Sequence, residues 1–398
     1  MRVVFRSFWM AGFESSCHRR GDGRRLDLIA ATGHDRWAAE DYARVRRSGI
    51  ETVRDGARWH RIERSPGRYD MSSLLPMVRA ARDAGVQVIW DLCHYGWPDG
   101  LDIYRPEFVD RFADYCRAVA RLIADETDEA PWYTPVNEAS FWSWAGGEVG
   151  YINPCSSGRG FELKTQLVRA ALAAMDAVWS VDSRARFLHC DPAIHIVAGP
   201  RRSARRADAE GHRLAQFQAW DMIQGQLWPQ LGGDERYLEV VGLNFYPNNQ
   251  WILHGPTIRR GERLYRPFRE MLAEAWERYG RPLIVAETGA EGDHRAEWLR
   301  YVAGEVLAAR RAGVPVHGIC LYPIVNYPGW DDERHCESGL WCYADREGRR
   351  EVHAPLAEEL ERQIDVFRRE PDLSDTEGGE APGARRRRGE EESENVAF

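Results

Sequence analysis

The chain has 398 residues, 43% of them apolar and 11% aromatic, a globular composition with enough apolar mass for a large core. Its net charge of −8 argues against a general nucleic-acid binder. No apolar run approaches the roughly 20 residues that span a bilayer, and the N-terminus has no long apolar signal segment, so neither membrane insertion nor export is expected.

In chain order, short apolar runs alternate with longer amphipathic ones. A strand is expected in VVFRSFWMAGF, then a helix near 35–48, a strand at IETVRDGA and a helix near 73–84. VQVIWDLC precedes a helix near 106–124, and PWYTPVNE precedes one near 161–180. ARFLHCD leads to a helix near 205–225, and LEVVGLNFY to one near 267–279. PLIVAET is followed by a helix near 293–311, and VHGICLYP by a last helix near 354–368. Several helices run into a glycine, as at Gly85 and Gly280, a common stop signal.

Eight such units predict an α/β fold, a single-domain (β/α)8 TIM barrel over residues 1–370. A doubly wound sheet would want a GxGxxG turn after the first strand, and none is present. From Pro371 the chain turns charged and rich in Gly and Glu, so 371–398 is expected to be a disordered charged tail. The eight cysteines show no CxxC pair and read as free thiols of a reducing, cytoplasmic compartment. The sixteen tryptophans serve core packing for the most part, although a flat indole also suits the apolar face of a sugar.

In a barrel of this kind the reactive residues stand at the C-terminal strand ends. Glu14 and His18 follow the first strand; Arg54 and Asp55 lie at the second, Asp91 and His94 at the third. Asn137 and Glu138 close the fourth, Asp191 and His195 follow the fifth, and Asn244 and Tyr246 close the sixth. Glu287 closes the seventh, and Trp330, Asp331 and Asp332 follow the eighth. Asp91, Asp191 and His195 read as groups that satisfy loop backbone. Glu138 and Glu287 stand out, because two carboxyls facing one substrate can cleave a glycosidic bond. A separation of about 5–5.5 Å gives retention and about 6.5–9.5 Å inversion. An arginine beside one carboxylate keeps it ionised, and a tyrosine hydroxyl does similar work.

The ordered motifs resemble glycoside hydrolase family 1, the β-glucosidase family of clan A. TPVNEAS resembles that family's T-(F/L)-N-E-P motif, and VAETGA its (I/V)-T-E-N-G motif. VRDGARWHRIERSPG, LCHYGWP, VVGLNFY and YPIVNYPGWDDERHCESGL are similar to further family stretches, in order over residues 5 to 350. The resemblance implies a retaining β-glycosidase, a β-glucosidase-like exo-enzyme, with Glu138 as general acid/base and Glu287 as nucleophile. It implies Asn137 at the sugar 2-hydroxyl, His94 at a neighbouring hydroxyl, and Arg54 and Tyr246 setting the ionisation of Glu287. Asn244 joins the substrate-binding set, His18 falls at a sugar-binding glutamine, and Trp330 stacks on the sugar ring. No metal or cofactor is implied, and the partner is a small-molecule β-glycoside or oligosaccharide. Ala139, Thr288 and Gly329 depart from the pattern. Gly329 falls where the family carries a sugar-gripping glutamate, with Asp331 or Asp332 as possible substitutes. A transglycosidase and a carbohydrate-binding pseudoenzyme are the alternatives. A phosphosugar hydrolase lacks a phosphate motif.

Overall fold

The structure is a computed structural model that describes residues 4–199 and 205–370; the expected tail at 371–398 lies outside the described residues. Eight strands pair side by side, all parallel, into a closed barrel. They are β1 (Trp9–Gly12), β2 (Thr52–Gly56), β3 (Gln87–Asp91), β4 (Trp132–Thr134), β5 (Arg186–Pro192), β6 (Val240–Asn244), β7 (Leu283–Thr288) and β8 (Val316–Leu321). The helices around them are α1 (Ala38–Arg47), α2 (Leu75–Ala84), α3 (Pro106–Glu126), α4 (Gly160–Trp179), α5 (Arg206–Leu214), α6 (Gln218–Ile223), α7 (Phe268–Tyr279), α8 (Arg295–Arg311) and α9 (Ala354–Arg369).

The strand period of two separates two cores. Met10, Ile89, Trp132, Leu188, Val240, Ile284 and Cys320 fill the barrel interior. Phe5 closes its floor, its ring 4.5 Å from that of Trp132. The alternate residues, Val53, Val88, Trp90, Tyr133 and Leu283 among them, face the helix layer.

α3 shows why the helices form where they do. Pro106 starts it at a position that needs no N–H, and Phe108, Phe112, Tyr115, Val119 and Ile123 recur on one buried face. Each such burial contributes roughly 1.5–3 kcal/mol. α2 ends at Gly85, whose φ of 66° is left-handed and so favours glycine. α9 returns to the first strand, where Phe367 packs 4.8 Å from Phe8 and 5.2 Å from Trp9.

One expectation is corrected. The single helix near 205–225 is two helices, α5 and α6, joined by a tighter turn at Ala215–Phe217. The buried Gln216 carboxamide holds that turn, accepting from Ile194 N at 2.9 Å and donating to Ile194 O at 3.1 Å. A long-range tie of that kind leaves no mark on local periodicity. Among the described residues, no helix is long and apolar enough to cross a membrane.

Candidate active site

The barrel mouth is organised around Arg54, which β2 points inward and which is fully buried. Its Nη1 donates to Glu287 Oε1 at 2.9 Å and to Ala286 O at 3.0 Å. Its Nη2 donates to Asp91 Oδ2 at 2.8 Å and to Asn137 Oδ1 at 2.9 Å. One planar guanidinium therefore ties β2 to β3, to the end of β4 and to β7. A fork of fixed geometry suits that task better than an ammonium. Asp91 is held below its ordinary range: burial, the largest influence, opposes its charge, and Arg54, His94 and Thr134 together outweigh it.

Two backbone irregularities aim the glutamates. Ile284 and Ala286 of β7 face the interior, so strict alternation would send Glu287 outward. The pairing with β6 shifts register between Val285 and Glu287, and this bulge turns Glu287 into the mouth. At the end of β4, Glu138 adopts φ 47°, ψ 57°, a left-handed conformation for a non-glycine residue. Asn137 N bonds Cys93 O toward β3, and Glu138 N bonds Cys190 O toward β5, both at 3.0 Å. The reversal lets two adjacent side chains share one pocket, at a conformational cost of about 1–3 kcal/mol.

Glu287 receives a donor on each oxygen: Arg54 on Oε1 and the Tyr246 hydroxyl on Oε2 at 3.0 Å. Glu138 accepts from Asn244 Nδ2 on Oε1 at 2.8 Å and from the Tyr95 hydroxyl on Oε2. Burial raises both carboxyls. Glu287 is pushed up to about 7, with Arg54 pulling down and the Glu138 charge pushing up. Glu138 is raised as well, by burial first, while the Tyr95 and Asn244 donors oppose the rise. The Glu138 charge thus acts on Glu287, and of the two carboxyls only Glu287 has a cationic donor.

His94 sits between Asp91, 3.0 Å from its Nδ1, and the Asn137 amide, 3.1 Å from its Nε2. Burial opposes its charge, yet Asp91 and Glu14 raise it above its ordinary value. His18 is buried, and neither ring nitrogen has a partner among the described residues. Burial, His94 and two arginines push it down to about 3, which keeps the imidazole neutral. Trp330 is half-buried over it, the rings 4.6 Å apart. The two glutamates, Arg54, Asn137, His94, Tyr246 and His18 therefore stand at one mouth, with Asn244 on Glu138 and Trp330 at the lip. Among the described residues no group of three or more His, Cys, Asp or Glu is arranged to hold a metal ion.

The other strand-end residues divide. Asp191 accepts from Ser140 N at 2.8 Å, a loop-backbone role, while Asp55 faces outward onto His34 and Tyr42. His195 is half-buried in a small two-stranded sheet apart from the barrel. Asp331 and Asp332 are both exposed. Asp331 accepts from the Tyr151 hydroxyl at 2.9 Å and Asp332 from Arg334 N at 3.1 Å, both on the exposed surface. A side chain at Gly329 would meet Asp332 Oδ1 at 2.9 Å from its Cβ. Thr288 points away from the mouth, donating to Phe245 O at 2.7 Å.

Sequence reasoning passed over Tyr95 and Tyr322. Tyr95 has φ 67°, and that turn brings its hydroxyl to Glu138 and to Asn137 Nδ2 at 3.1 Å. Tyr322 follows β8, lies under the Arg54 guanidinium at 5.5 Å, and has a buried hydroxyl without a partner among the described residues. Gly12 allows this approach, since a Cβ there would overlap the Tyr322 ring. The only sequence signal for either was position just past a strand.

Comparison with known proteins places the fold. No sequence-family description and no curated relative matches the chain. Solved structures do. A β-glucosidase from Thermotoga maritima in complex with glucoimidazole superposes with a TM-score of 0.74 at 16% identity, covering 94% of this chain and 99% of that one. The family 1 β-glucosidase from the same organism gives 0.71 at 16% identity, covering 92% and 99%. The AHE enzyme from Alicyclobacillus herbarius gives 0.73 at 17% identity, covering 91% and 99%. The chain shares the (β/α)8 fold of these structures.

Proposed function

We propose that this protein is a retaining β-glycosidase of the family 1 type, a β-glucosidase-like exo-enzyme acting on small β-glycosides or oligosaccharides. The observation that carries the reading is the unequal setting of the two glutamates. Glu287 is held by a guanidinium and a hydroxyl, one on each oxygen. Glu138 has only neutral donors, the Tyr95 hydroxyl and the Asn244 amide. Glu287 then attacks the anomeric carbon while Glu138 protonates the departing oxygen. Once Glu287 is esterified its charge is gone. The pKa of Glu138 falls, and Glu138 takes a proton from the incoming water. Asn137 is set to hold the 2-hydroxyl, His94 and His18 to take neighbouring hydroxyls, and Trp330 to cover the ring.

The test is a pair of variants on aryl β-glycosides. Glu287→Gly is expected to abolish hydrolysis, and Glu138→Ala to slow poor leaving groups far more than activated ones. Full activity in Glu287→Gly refutes the mechanism.

A transglycosidase on the same barrel is favoured by one further observation. Phe141 lies 6.3 Å from Trp330, and Trp144 lies 6.0 Å beyond it and is 53% exposed. Such a run of rings suits a sugar or aromatic acceptor. Product analysis with added acceptors separates the two outcomes.

A further inference from the structure

Glu14, just past β1, is a third glutamate at the mouth. It is buried, with 8% of its surface exposed. Its Oε1 accepts from Ser16 N at 2.9 Å and Ser16 Oγ at 2.5 Å, which closes a tight turn. Its Oε2 has no donor among the described residues, so the turn uses half of the carboxylate and leaves the other half spare.

The carboxylate lies beside the groups already described. Glu14 Oε1 is 3.9 Å from His94 Nε2. Its charge acts on Glu287 of β7, on Tyr246 after β6, on Tyr322 after β8 and on Tyr95 after β3. The His94 nitrogen it approaches is the one that lies 3.1 Å from the Asn137 amide. Against Tyr95 and Trp330, the neutral His18 ring buries two nitrogens, one a donor and one an acceptor, without partners among the described residues. Buried polar atoms without partners are costly, and a ligand hydroxyl would satisfy them.

The charges are lopsided. Asp91 and Glu287 share one buried guanidinium, that of Arg54, and Glu14 has only the His94 ring near it, at 3.9 Å. The neighbouring arginines are engaged outside the pocket, Arg20 with Asp22 at 2.9 Å and Arg25 with Asp99 at 2.6 Å. A sugar bearing a carboxylate or a phosphate would bring like charge into a low-dielectric site.

We propose that Glu14 is a substrate-contacting specificity residue, whose spare carboxylate oxygen accepts hydrogen bonds from hydroxyls of a neutral glycone and whose charge excludes anionic sugars. It rests on the glycosidase reading above. Glu14→Gln keeps an oxygen for the Ser16 turn and removes the charge, so a purely structural role survives in that variant.

The experiment compares kcat/KM for neutral aryl β-glycosides, an aryl β-glucuronide and a 6-phosphoglycoside in wild type, Glu14→Gln and Glu14→Ala. Saturation-transfer NMR of the free monosaccharides is recorded with each protein. Wild type is expected to favour neutral sugars. Glu14→Gln is expected to raise KM for them roughly tenfold and to lower the neutral-to-anionic ratio by a similar factor. A folded Glu14→Gln protein with unchanged KM and unchanged ratio overturns the proposal and leaves the hydrolase reading standing. A wild type that binds neutral sugar without hydrolysis, with binding lost in both variants, refutes the hydrolase reading and upholds the role of Glu14. A wild type that neither binds nor hydrolyses any of them refutes both.

Discussion

Arg54 Nη1 lies 2.9 Å from Glu287 Oε1, and both side chains are buried at the barrel mouth. The same guanidinium reaches Asp91 at 2.8 Å through its other nitrogen. Removing it strands two buried carboxylates. Arg54→Met is therefore expected to cost about 3–5 kcal/mol of stability. Arg54→Lys keeps a charge but cannot span both partners, and should lose about a hundredfold in kcat/KM while retaining more stability than the Met variant. Denaturant unfolding and kinetics on the three proteins check this. A Lys variant with wild-type kcat/KM would dismiss the clamp.

Tyr95 donates to Glu138, and a donor to a carboxylate favours its charged form. Tyr95→Phe should therefore raise the Glu138 pKa above its already elevated position. The alkaline limb of kcat/KM is expected to move to higher pH, and the second, water-dependent step to slow. An unshifted limb would mean that the hydroxyl does not tune the acid.

The two glutamates share their titration. The last proton of the pair is expected to leave near pH 7, the value to which burial and the neighbouring charge push Glu287. With one proton needed on the pair, activity should fall as pH rises through about 7. Glu287→Gln removes one charge, so Glu138 should titrate lower there than in wild type. Carboxyl 13C NMR on labelled glutamate measures both. A Glu138 pKa that is equal or higher in the variant contradicts the coupling.

Away from the site, His34 lies between Asp55 at 2.7 Å and Asp41 at 2.9 Å. Burial opposes its charge, but the two aspartates outweigh burial and push it up to about 9. A folded pKa above the unfolded one stabilises the fold fully below about pH 6.5, and that stabilisation is lost as pH rises through about 9. The amount is about 3 kcal/mol. Thermal melts from pH 7 to 10 should show wild type losing more than His34→Gln over that range. Parallel curves would remove His34 as the cause.

The barrel was legible because each strand is an apolar run followed by a polar end and a helix with a clear apolar face. Arg54, Asn137, Glu138 and Glu287 each stand just past such a run. The devices that aim them were not legible. The bulge before Glu287, the left-handed backbone at Glu138 and the turn at Tyr95 depend on neighbouring strands and loops. The break between α5 and α6 was hidden for the same reason, since it is set by Gln216 reaching Ile194 across the fold. Asp331 and Asp332 looked suited to the pocket by proximity in sequence, yet both are exposed and engaged by Tyr151 and Arg334.

The central claim is that Glu287 forms a covalent bond to the sugar. A panel of 2-deoxy-2-fluoro β-glycosyl fluorides, which slow both steps but the second more, followed by intact and peptide mass analysis, tests it most directly. The expected result is one glycosyl unit added to the peptide that contains Glu287, absent in Glu287→Gln. Turnover of the parent glycoside with no adduct on Glu287, and with the α-anomer formed first, would contradict it.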